Sequence, residues 1–336
     1  MNDGNPLVDS DELSCGDSFL MPGRQREKVL SISDFARLLG TTRRTLENLC
    51  GDVFASFDFH YSILEGKDLH GAVLKVLKDL EVNQFSVSGK NRKNDWERGW
   101  NENLQEFKSS DFPSATLRPK YLVKNPLKRL FQNFILPADP LFEVNFYTVY
   151  RSYVFRRLLA PYEHIFEFGC GTGHNLFLLG QLFPDKNLYG LDWAQSSVEL
   201  VNEIGKKHNP HLRGVHFDFF EPDYSLNIPP NSVFVTFNSL EQVGGNHQPF
   251  LRFVNEKKPA LCVNSEPFVE LYDDAILLDY LAAKYHRARN YLEGYLDALK
   301  GLEVAGRIVL NKIHRVHFGS FYHEGYSLAI WSPKTV

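Results

Sequence analysis

Three glycines at alternate positions limit most strongly how this chain can fold. They lie in the stretch His164-Ile-Phe-Glu-Phe-Gly-Cys-Gly-Thr-Gly-His-Asn-Leu176. The β-branched and aromatic residues before the glycines are typical of a strand. The apolar residues after them indicate a helix face. Because glycine loses much backbone entropy on folding, three in one turn indicate positive φ angles or a ligand close to the main chain. The stretch therefore predicts a strand, a tight turn and a helix.

Strand-like and helix-like patterns alternate through the second half of the chain. Such alternation predicts a parallel sheet with right-handed crossovers. The predicted strands are residues 164–168, 187–192, 214–217, 232–237 and 260–264, with 307–318 and 326–331 as a closing antiparallel pair. The predicted helices are residues 142–159, 174–183, 196–208 and 274–300.

The glycine turn, Glu167-Phe-Gly169-Cys-Gly171-Thr-Gly173, resembles the first motif of class I S-adenosylmethionine (SAM) dependent methyltransferases, E/D-x-G-x-G-x-G. The dinucleotide fingerprint has a different spacing, G-x-G-x-x-G. The resemblance covers roughly residues 95–336 and is closest to uncharacterised bacterial small-molecule or sugar methyltransferases. It implies a Rossmann-like α/β fold, a seven-stranded sheet with helices on both faces. A mostly helical N-terminal region would precede that sheet.

The resemblance implies a set of residues that bind SAM. Asp192, at the end of the second strand, would accept hydrogen bonds from the ribose diol. Trp193 would pack on the adenine or fill a gap under the sheet edge, and Asp218 would meet the adenine amino group or cap a turn. The expected cofactor-binding residues are Glu167, Gly169, Gly171, Gly173, Asn175, Asp192, Trp193, Asp218, Phe219, Asn238 and Tyr147.

Polar residues after the later strands are candidates for a catalytic base. In open α/β sheets, ligands bind beyond the carboxyl ends of the strands. Residues 238–247 follow the fourth strand, and Glu266 ends the fifth, where Pro267 would direct it across the cleft. Histidine suits proton transfer because its pKa lies near neutrality. The predicted catalytic residues are His247, His286, Glu266 and Glu241, and a cluster of His247, Glu266, His286 and His323 would support them.

The segments before the sheet differ in composition. We expect a disordered tail (1–28), a small helical N-terminal domain (29–84), a proline-punctuated connector or lid (85–141) and a SAM-binding domain (142–336). Residues 32–46 look like a DNA-binding helix-turn-helix, although two helices packed as a substrate or dimer domain explain the same residues. Trp96 and Trp100 share one helical face, either as an anchor or as a wall for a ring-shaped substrate.

The overall composition narrows the function classes. The chain has 336 residues and a net charge of −4, which argues against general affinity for nucleic acid or anionic membranes. Its four cysteines form no C-x-x-C pair, so no metal site is predicted. Since neither a signal peptide nor a long apolar run is evident, we expect a cytoplasmic protein.

These observations predict methyl transfer from SAM to a hydroxyl or amine of a polar small molecule, such as a sugar or a secondary-metabolite intermediate. The reaction would be an in-line displacement assisted by a histidine or glutamate base. Two alternatives stay open. One is a nucleic-acid-directed methyltransferase that reads its target with the helix-turn-helix-like segment, and the other is a SAM-binding protein without catalysis. A homodimer through the N-terminal helices is a further expectation.

Overall fold

The computed structural model describes residues 27–110 and 113–334. The helices are α1 (Ile32–Leu38), α2 (Arg43–Ala55), α3 (Gly66–Val82), α4 (Lys93–Ser109), α5 (Pro113–Thr116), α6 (Phe142–Val154), α7 (His174–Leu182), α8 (Gln195–His208), α9 (Gln248–Lys257), α10 (Leu277–Arg289) and α11 (Tyr295–Val304). The strands are β1 (Glu27–Val29), β2 (His60–Ile63), β3 (Lys128–Leu130), β4 (Asn133–Pro137), β5 (His164–Phe168), β6 (Asn187–Asp192), β7 (Leu212–His216), β8 (Ser232–Phe237), β9 (Leu261–Glu266), β10 (Ile308–His314), β11 (Phe318–Gly319) and β12 (Ser327–Pro333). The predicted disordered tail, residues 1–28, lies outside this range apart from its last two residues, which belong to β1.

The larger sheet has seven strands in the order β7-β6-β5-β8-β9-β12-β10. Strands β5 to β9 run parallel, whereas β12 is antiparallel to both β9 and β10. The predicted α/β class with a seven-stranded sheet is confirmed. The bounds of β5, β6 and β8 coincide with the predicted strands because these runs are short, apolar and flanked by turn residues.

Helices cover both faces of this sheet, as predicted. Ile165 and Val233 pack into a core with the apolar residues of α7 and α8. Their neighbours Phe166 and Phe234 pack on the opposite face with residues of α9 and α11. Because successive side chains of a strand alternate between faces, strands buried on both sides read as continuous apolar runs.

A second sheet joins distant parts of the chain across the predicted domain boundaries. Its strand order is β1-β2-β4-β3-β11. The predicted N-terminal domain (29–84) and connector (85–141) therefore share one sheet with β11, from the predicted SAM-binding domain (142–336). The N-terminal region is not helical alone. Phe318, the last residue of the predicted strand 307–318 of the larger sheet, belongs instead to β11, which pairs with β3.

The predicted long helix over residues 274–300 is wrong, since the structure has two helices there. Asn290 has a φ of 51° and ends α10 in the left-handed conformation. Gly294, with a φ of 78°, precedes α11. Asparagine and glycine tolerate positive φ better than other residues, so they divide the apolar pattern at this point.

The helix-turn-helix-like segment packs against α6, the helix that precedes the larger sheet. Phe35 of α1 stacks on Phe146 of α6, with ring centroids 4.5 Å apart. Arg43 pairs with Glu47, with 2.6 Å between the nitrogen and oxygen atoms. These contacts favour the packing interpretation, while nucleic-acid binding stays an untested prediction. Within the described residues, no helix is both long enough and apolar enough to cross a membrane.

Gly214 allows α8 to approach β7 closely, and we predict that alanine there destabilises the protein. A Cβ at Gly214 would lie 2.2 Å from the carbonyl oxygen of Val198. The helix would have to move, and overpacking of this kind costs about 1–3 kcal/mol. Gly71→Ala is the matched control, because a Cβ there meets nothing within 4 Å and alanine favours helix by up to about 1 kcal/mol. Thermal unfolding should show a lower midpoint for G214A and an equal or higher one for G71A. Equal midpoints for the two variants would contradict the close-packing argument.

Candidate functional site

The glycine turn after β5 has the backbone that its sequence predicts. Gly169, Gly171 and Gly173 have φ angles of 71°, 52° and 71°. A Cβ at Gly169 would lie 2.4 Å from the Cβ of Ser239, and one at Gly171 would lie 3.0 Å from the ring of Trp100. Both the left-handed conformation and the close neighbours therefore require glycine.

Asp192 holds this turn from the end of β6. Its Oδ2 accepts a hydrogen bond of 2.9 Å from the Gly171 N–H, and its Oδ1 accepts one of 3.0 Å from the Ala194 N–H. Burial raises the pKa of this carboxyl to about 6. Each carboxylate oxygen has a second lone pair. Asp192 can therefore fix the turn and still accept a hydrogen bond from a ligand.

Glu167 presents an unsatisfied carboxylate oxygen beside the same turn. Asn175 Nδ2 donates to Glu167 Oε1 over 2.7 Å, and Tyr147 donates its hydroxyl proton to Asn175 Oδ1 over 2.9 Å. Glu167 Oε2 is buried and has no hydrogen-bond partner. Burial raises the pKa of the carboxyl to about 8. Because buried polar atoms are nearly always paired, this oxygen marks a place for a ligand that donates hydrogen bonds.

Two adjoining cavities open beside the glycine turn. The larger encloses about 230 Å³ and is lined by Glu167, Asn175 and Tyr147 among others. The smaller encloses about 70 Å³ and is lined by Asp192, among others. Five residues line both cavities, namely Trp96, Trp100, Gly169, Asn238 and Gln242.

Helix α4 supplies the tryptophans that lie between the cavities. The rings of Trp96 and Trp100 stack with centroids 5.2 Å apart. Between them, Glu97 accepts a hydrogen bond of 3.0 Å from the backbone N–H of Ser196, in the first turn of α8. The helix is thus anchored on α8 and presents both indoles to the cavities, while their role as a wall for a ring-shaped substrate stays a prediction.

The structure places only some of the residues expected around an adenine at the smaller cavity. Trp193 and Phe219 line the smaller cavity. Asp218 does not line it. Its Oδ1 accepts a hydrogen bond of 2.9 Å from the backbone N–H of Phe220, which is the turn-capping alternative. Lys93 lies 3.6 Å from the other oxygen of Asp218. Asn238 joins two loops, because its side chain donates to the carbonyl oxygen of Gly325 over 2.8 Å.

Glu266 does not point across the cleft, and that expectation is wrong. The side chain is fully buried and accepts hydrogen bonds from the backbone N–H groups of Ser239, Leu240 and Glu241, at 3.1, 3.2 and 3.3 Å. Burial raises its pKa to about 7. The carboxylate accepts the backbone N–H groups of the tight turn after β8. It thereby fixes the backbone of Glu241, a residue that does line the larger cavity.

The predicted histidines lie in two separate places. His247 precedes α9, packs edge-on against Tyr295 and does not line either cavity. His286 is buried on α10, with its Nε2 3.0 Å from Nδ1 of His323. His323 lines the larger cavity. Of the four residues proposed as one cluster, the structure brings together only His286 and His323.

Sequence reasoning missed a buried ion pair on the floor of the larger cavity. Lys128 Nζ lies 2.5 Å from Glu143 Oε2, and Tyr326 donates its hydroxyl proton to Glu143 Oε1 over 2.9 Å. Lys128 lies on β3, Glu143 on α6 and Tyr326 directly before β12, so no local pattern reveals their meeting. No group of three or more His, Cys, Asp or Glu side chains in residues 27–110 and 113–334 could hold a metal ion.

The buried carboxyls predict a stability that falls with rising pH. The pKa values of Asp192, Glu266 and Glu167 are raised to about 6, 7 and 8. The folded state then binds these protons more tightly than the unfolded state, so their contribution is complete below about pH 4 and is lost as the pH rises through 6 to 8. The thermal midpoint of the ligand-free protein should fall between pH 5 and pH 8.5. Glu167→Gln should match the wild type at pH 5 and exceed it at pH 8.5.

The control for this experiment is Glu163→Gln, at a side chain that is 68% exposed. That variant should keep the wild-type pH dependence. If Glu167→Gln and Glu163→Gln give the same curves, Glu167 does not carry the raised pKa.

Comparisons with known proteins find one short sequence match and several distant structural likenesses. No protein-family model matches the chain. A curated relative, trans-aconitate 2-methyltransferase of Deinococcus radiodurans, is 34% identical over 68 residues, which is 20% of this chain. The chain spans about a quarter of the length of that relative, 25%.

Similar solved structures include N,N-8-amino-8-demethyl-D-riboflavin dimethyltransferase (RosA) from Streptomyces davawensis, with 11% identity and a TM-score of 0.44 over 92% of this chain and 90% of that one. Another is PigF with SAH, with 13% identity and a TM-score of 0.42 over 93% of this chain and 90% of that one. Both TM-scores are below 0.5, which indicates only a loose overall likeness. The parallel strands β5 to β9, the closing antiparallel pair and the glycine turn match the Rossmann-like α/β fold with a seven-stranded sheet that the resemblance of the glycine motif implies.

Proposed function

We propose that the chain is a SAM-dependent methyltransferase that acts on a polar small molecule. The observation that carries the proposal is the unpartnered Oε2 of Glu167, buried on the cavity wall beside the glycine turn. SAM carries an ammonium group and a sulfonium, and both favour a nearby carboxylate. The ionised form of this carboxyl, which a cationic ligand favours by lowering its pKa, would repel the pyrophosphate of a dinucleotide.

The two cavities fit the two parts of such a cofactor. The amino-acid part of SAM would lie against Glu167, with Asn175 and Tyr147 keeping that carboxylate in place. The adenosine would enter the smaller cavity, where Asp192 offers lone pairs to the ribose hydroxyls and Phe219 offers an aromatic face. The curated relative, itself a methyltransferase, supports the class of reaction over the short stretch that it matches.

Bound SAM supplies an activated methyl group, so the chain mainly has to position an acceptor and exclude water. Trp96 and Trp100 close the site from the α4 side, next to the glycine turn. The acceptor would occupy the far part of the larger cavity, where tyrosines and Glu241 supply ring faces and polar groups. A hydroxyl or amine on a sugar or a secondary-metabolite intermediate suits this mixture of aromatic and polar groups.

Asp192→Ala should weaken SAM binding by 100-fold or more in isothermal titration calorimetry. The variant loses the ribose acceptor and also the hydrogen bonds to Gly171 and Ala194. Circular dichroism should show an unchanged content of helix and strand, since the lost hydrogen bonds lie in turns. Asp185→Ala, at an exposed turn position, is the matched control and should bind SAM like the wild type. Unchanged affinity in Asp192→Ala, or tighter binding of NAD than of SAM by the wild type, would refute the assignment.

A further inference from the structure

We propose that the larger cavity takes a hydroxylated aromatic small molecule, a phenol, and that His323, backed by His286, accepts the hydroxyl proton during methyl transfer. This inference rests on the proposed function and adds to it the acceptor class and the catalytic base. It replaces the earlier candidates His247 and Glu266, which do not line the cavity.

His323 is the histidine that can reach an acceptor. It lies between β11 and β12, is partly exposed and lines the larger cavity. Its Nδ1 is 3.0 Å from Nε2 of His286, so its own Nε2 is the nitrogen left for a ligand. When Nδ1 carries the proton and donates it to His286, Nε2 presents a lone pair. The 3.0 Å contact accommodates this tautomer, in which His323 acts as a base, when His286 carries its own proton on Nδ1 and accepts at Nε2.

A clamp built on Arg315 holds the two histidines together. Arg315 forms two hydrogen bonds to Asp279, at 2.7 and 2.6 Å, and a third to Glu324 Oε2 at 2.6 Å. Asp279 lies on α10, the helix that carries His286, and Glu324 directly follows His323. A bidentate arginine–carboxylate pair is geometrically specific. The clamp thus fixes the loop of His323 against the helix of His286.

Aromatic rings surround the exposed side of this pair. We call Tyr285, Tyr291 and Tyr322 the tyrosine wall, and all three line the larger cavity with His323. Tyr285 and Tyr322 stack with centroids 4.7 Å apart, and His323 lies 5.3 Å from Tyr285 and 5.8 Å from Tyr291. Flat faces of this kind favour a planar ring in offset or edge-on contact. A ring held here would carry its reacting group beside His323.

The charges around His323 favour an acidic hydroxyl. Burial, then His286 and Arg289 of α10 and Arg129 of β3, hold the pKa of His323 well below its usual range. On its own loop, Glu324 is engaged by Arg315. A weakly basic imidazole takes a proton more readily from a phenol than from an alkyl alcohol. A carboxylate acceptor is already ionised and would need no base.

The step is balanced without a further reactant. The acceptor oxygen forms a bond to the methyl carbon as the bond from that carbon to the sulfonium sulfur breaks, and the sulfur keeps the electron pair as a thioether. The hydroxyl proton passes to Nε2 of His323. It later leaves to solvent.

The acceptor class is tested with the full-length protein, SAM and five probes, with formation of S-adenosylhomocysteine followed by mass spectrometry. Catechol and 2-naphthol represent phenols, glucose represents alcohols, and benzoate and trans-aconitate represent carboxylates. Turnover should occur with the phenols. Turnover restricted to glucose or the carboxylates, or no turnover of either phenol, overturns the inference. In those cases SAM binding by calorimetry still supports the proposed function, whereas its absence overturns the proposed function itself.

The base is tested by His323→Gln, which keeps a polar side chain without the basicity. We expect kcat with the phenol to fall 100-fold or more, in the range of a lost general base, while the Kd for SAM changes less than twofold. His70→Gln, at an exposed position on α3, should keep the wild-type kcat. A kcat within fivefold of the wild type in His323→Gln would overturn the role of this histidine.

The supporting role of His286 has its own readout. His286→Phe removes both the hydrogen bond and a neighbour that lowers the pKa of His323. The acid limb of the kcat–pH profile should therefore move to higher pH. A purely structural defect would lower kcat without requiring this shift. An unchanged profile in His286→Phe would remove His286 from the proposal.

Discussion

Buried carboxylates at the carboxyl ends of parallel strands hold the loops on which the rest of this structure depends. Glu167 is the penultimate residue of β5. Asp192 is the last residue of β6, and Glu266 is the last residue of β9. A buried carboxylate costs several kcal/mol unless hydrogen bonds compensate it. Asp192 and Glu266 obtain those bonds from backbone N–H groups of the adjoining loops. Each loop is thereby fixed at the edge of the sheet where ligands bind in open α/β folds.

The three carboxylates differ in how many hydrogen bonds they accept from the protein, and this number distinguishes Glu266, which is structural, from Asp192 and Glu167, which line a cavity. Glu266 accepts three backbone N–H groups, is fully buried and has no surface toward a cavity. Asp192 accepts two and still lines a cavity. Glu167 accepts one amide on one oxygen and none on the other. Under the proposed function, the ammonium group of SAM would supply the hydrogen bonds that the second oxygen of Glu167 lacks in the ligand-free protein.

Sequence reasoning succeeded where a local pattern fully determines the backbone. Gly169, Gly171 and Gly173 have the positive φ angles that their spacing implies, and the strands around them were predicted because each is short and apolar. It failed where the deciding contact is distant. The orientation of Glu266 depends on N–H groups 25 to 27 residues away. The β3–β4 hairpin turns at Phe131 and Gln132, both with positive φ, where the sequence has neither glycine nor asparagine to signal a turn.

The two sheets contribute different residues to the cavities, and this difference explains why the proposed cofactor side was easier to infer than the proposed acceptor side. The larger sheet supplies Glu167 and Asp192, which one local motif and one strand end identify. The proposed acceptor side depends on β11 pairing with β3, which fixes the loop that carries His323 next to the segment that carries Lys128. These residues are almost two hundred positions apart, as the 192-residue separation of Arg129 and its partner Phe321 illustrates. A change in that pairing would move His323 and Lys128 while leaving the glycine turn intact, so under the proposed function acceptor specificity would vary independently of cofactor binding.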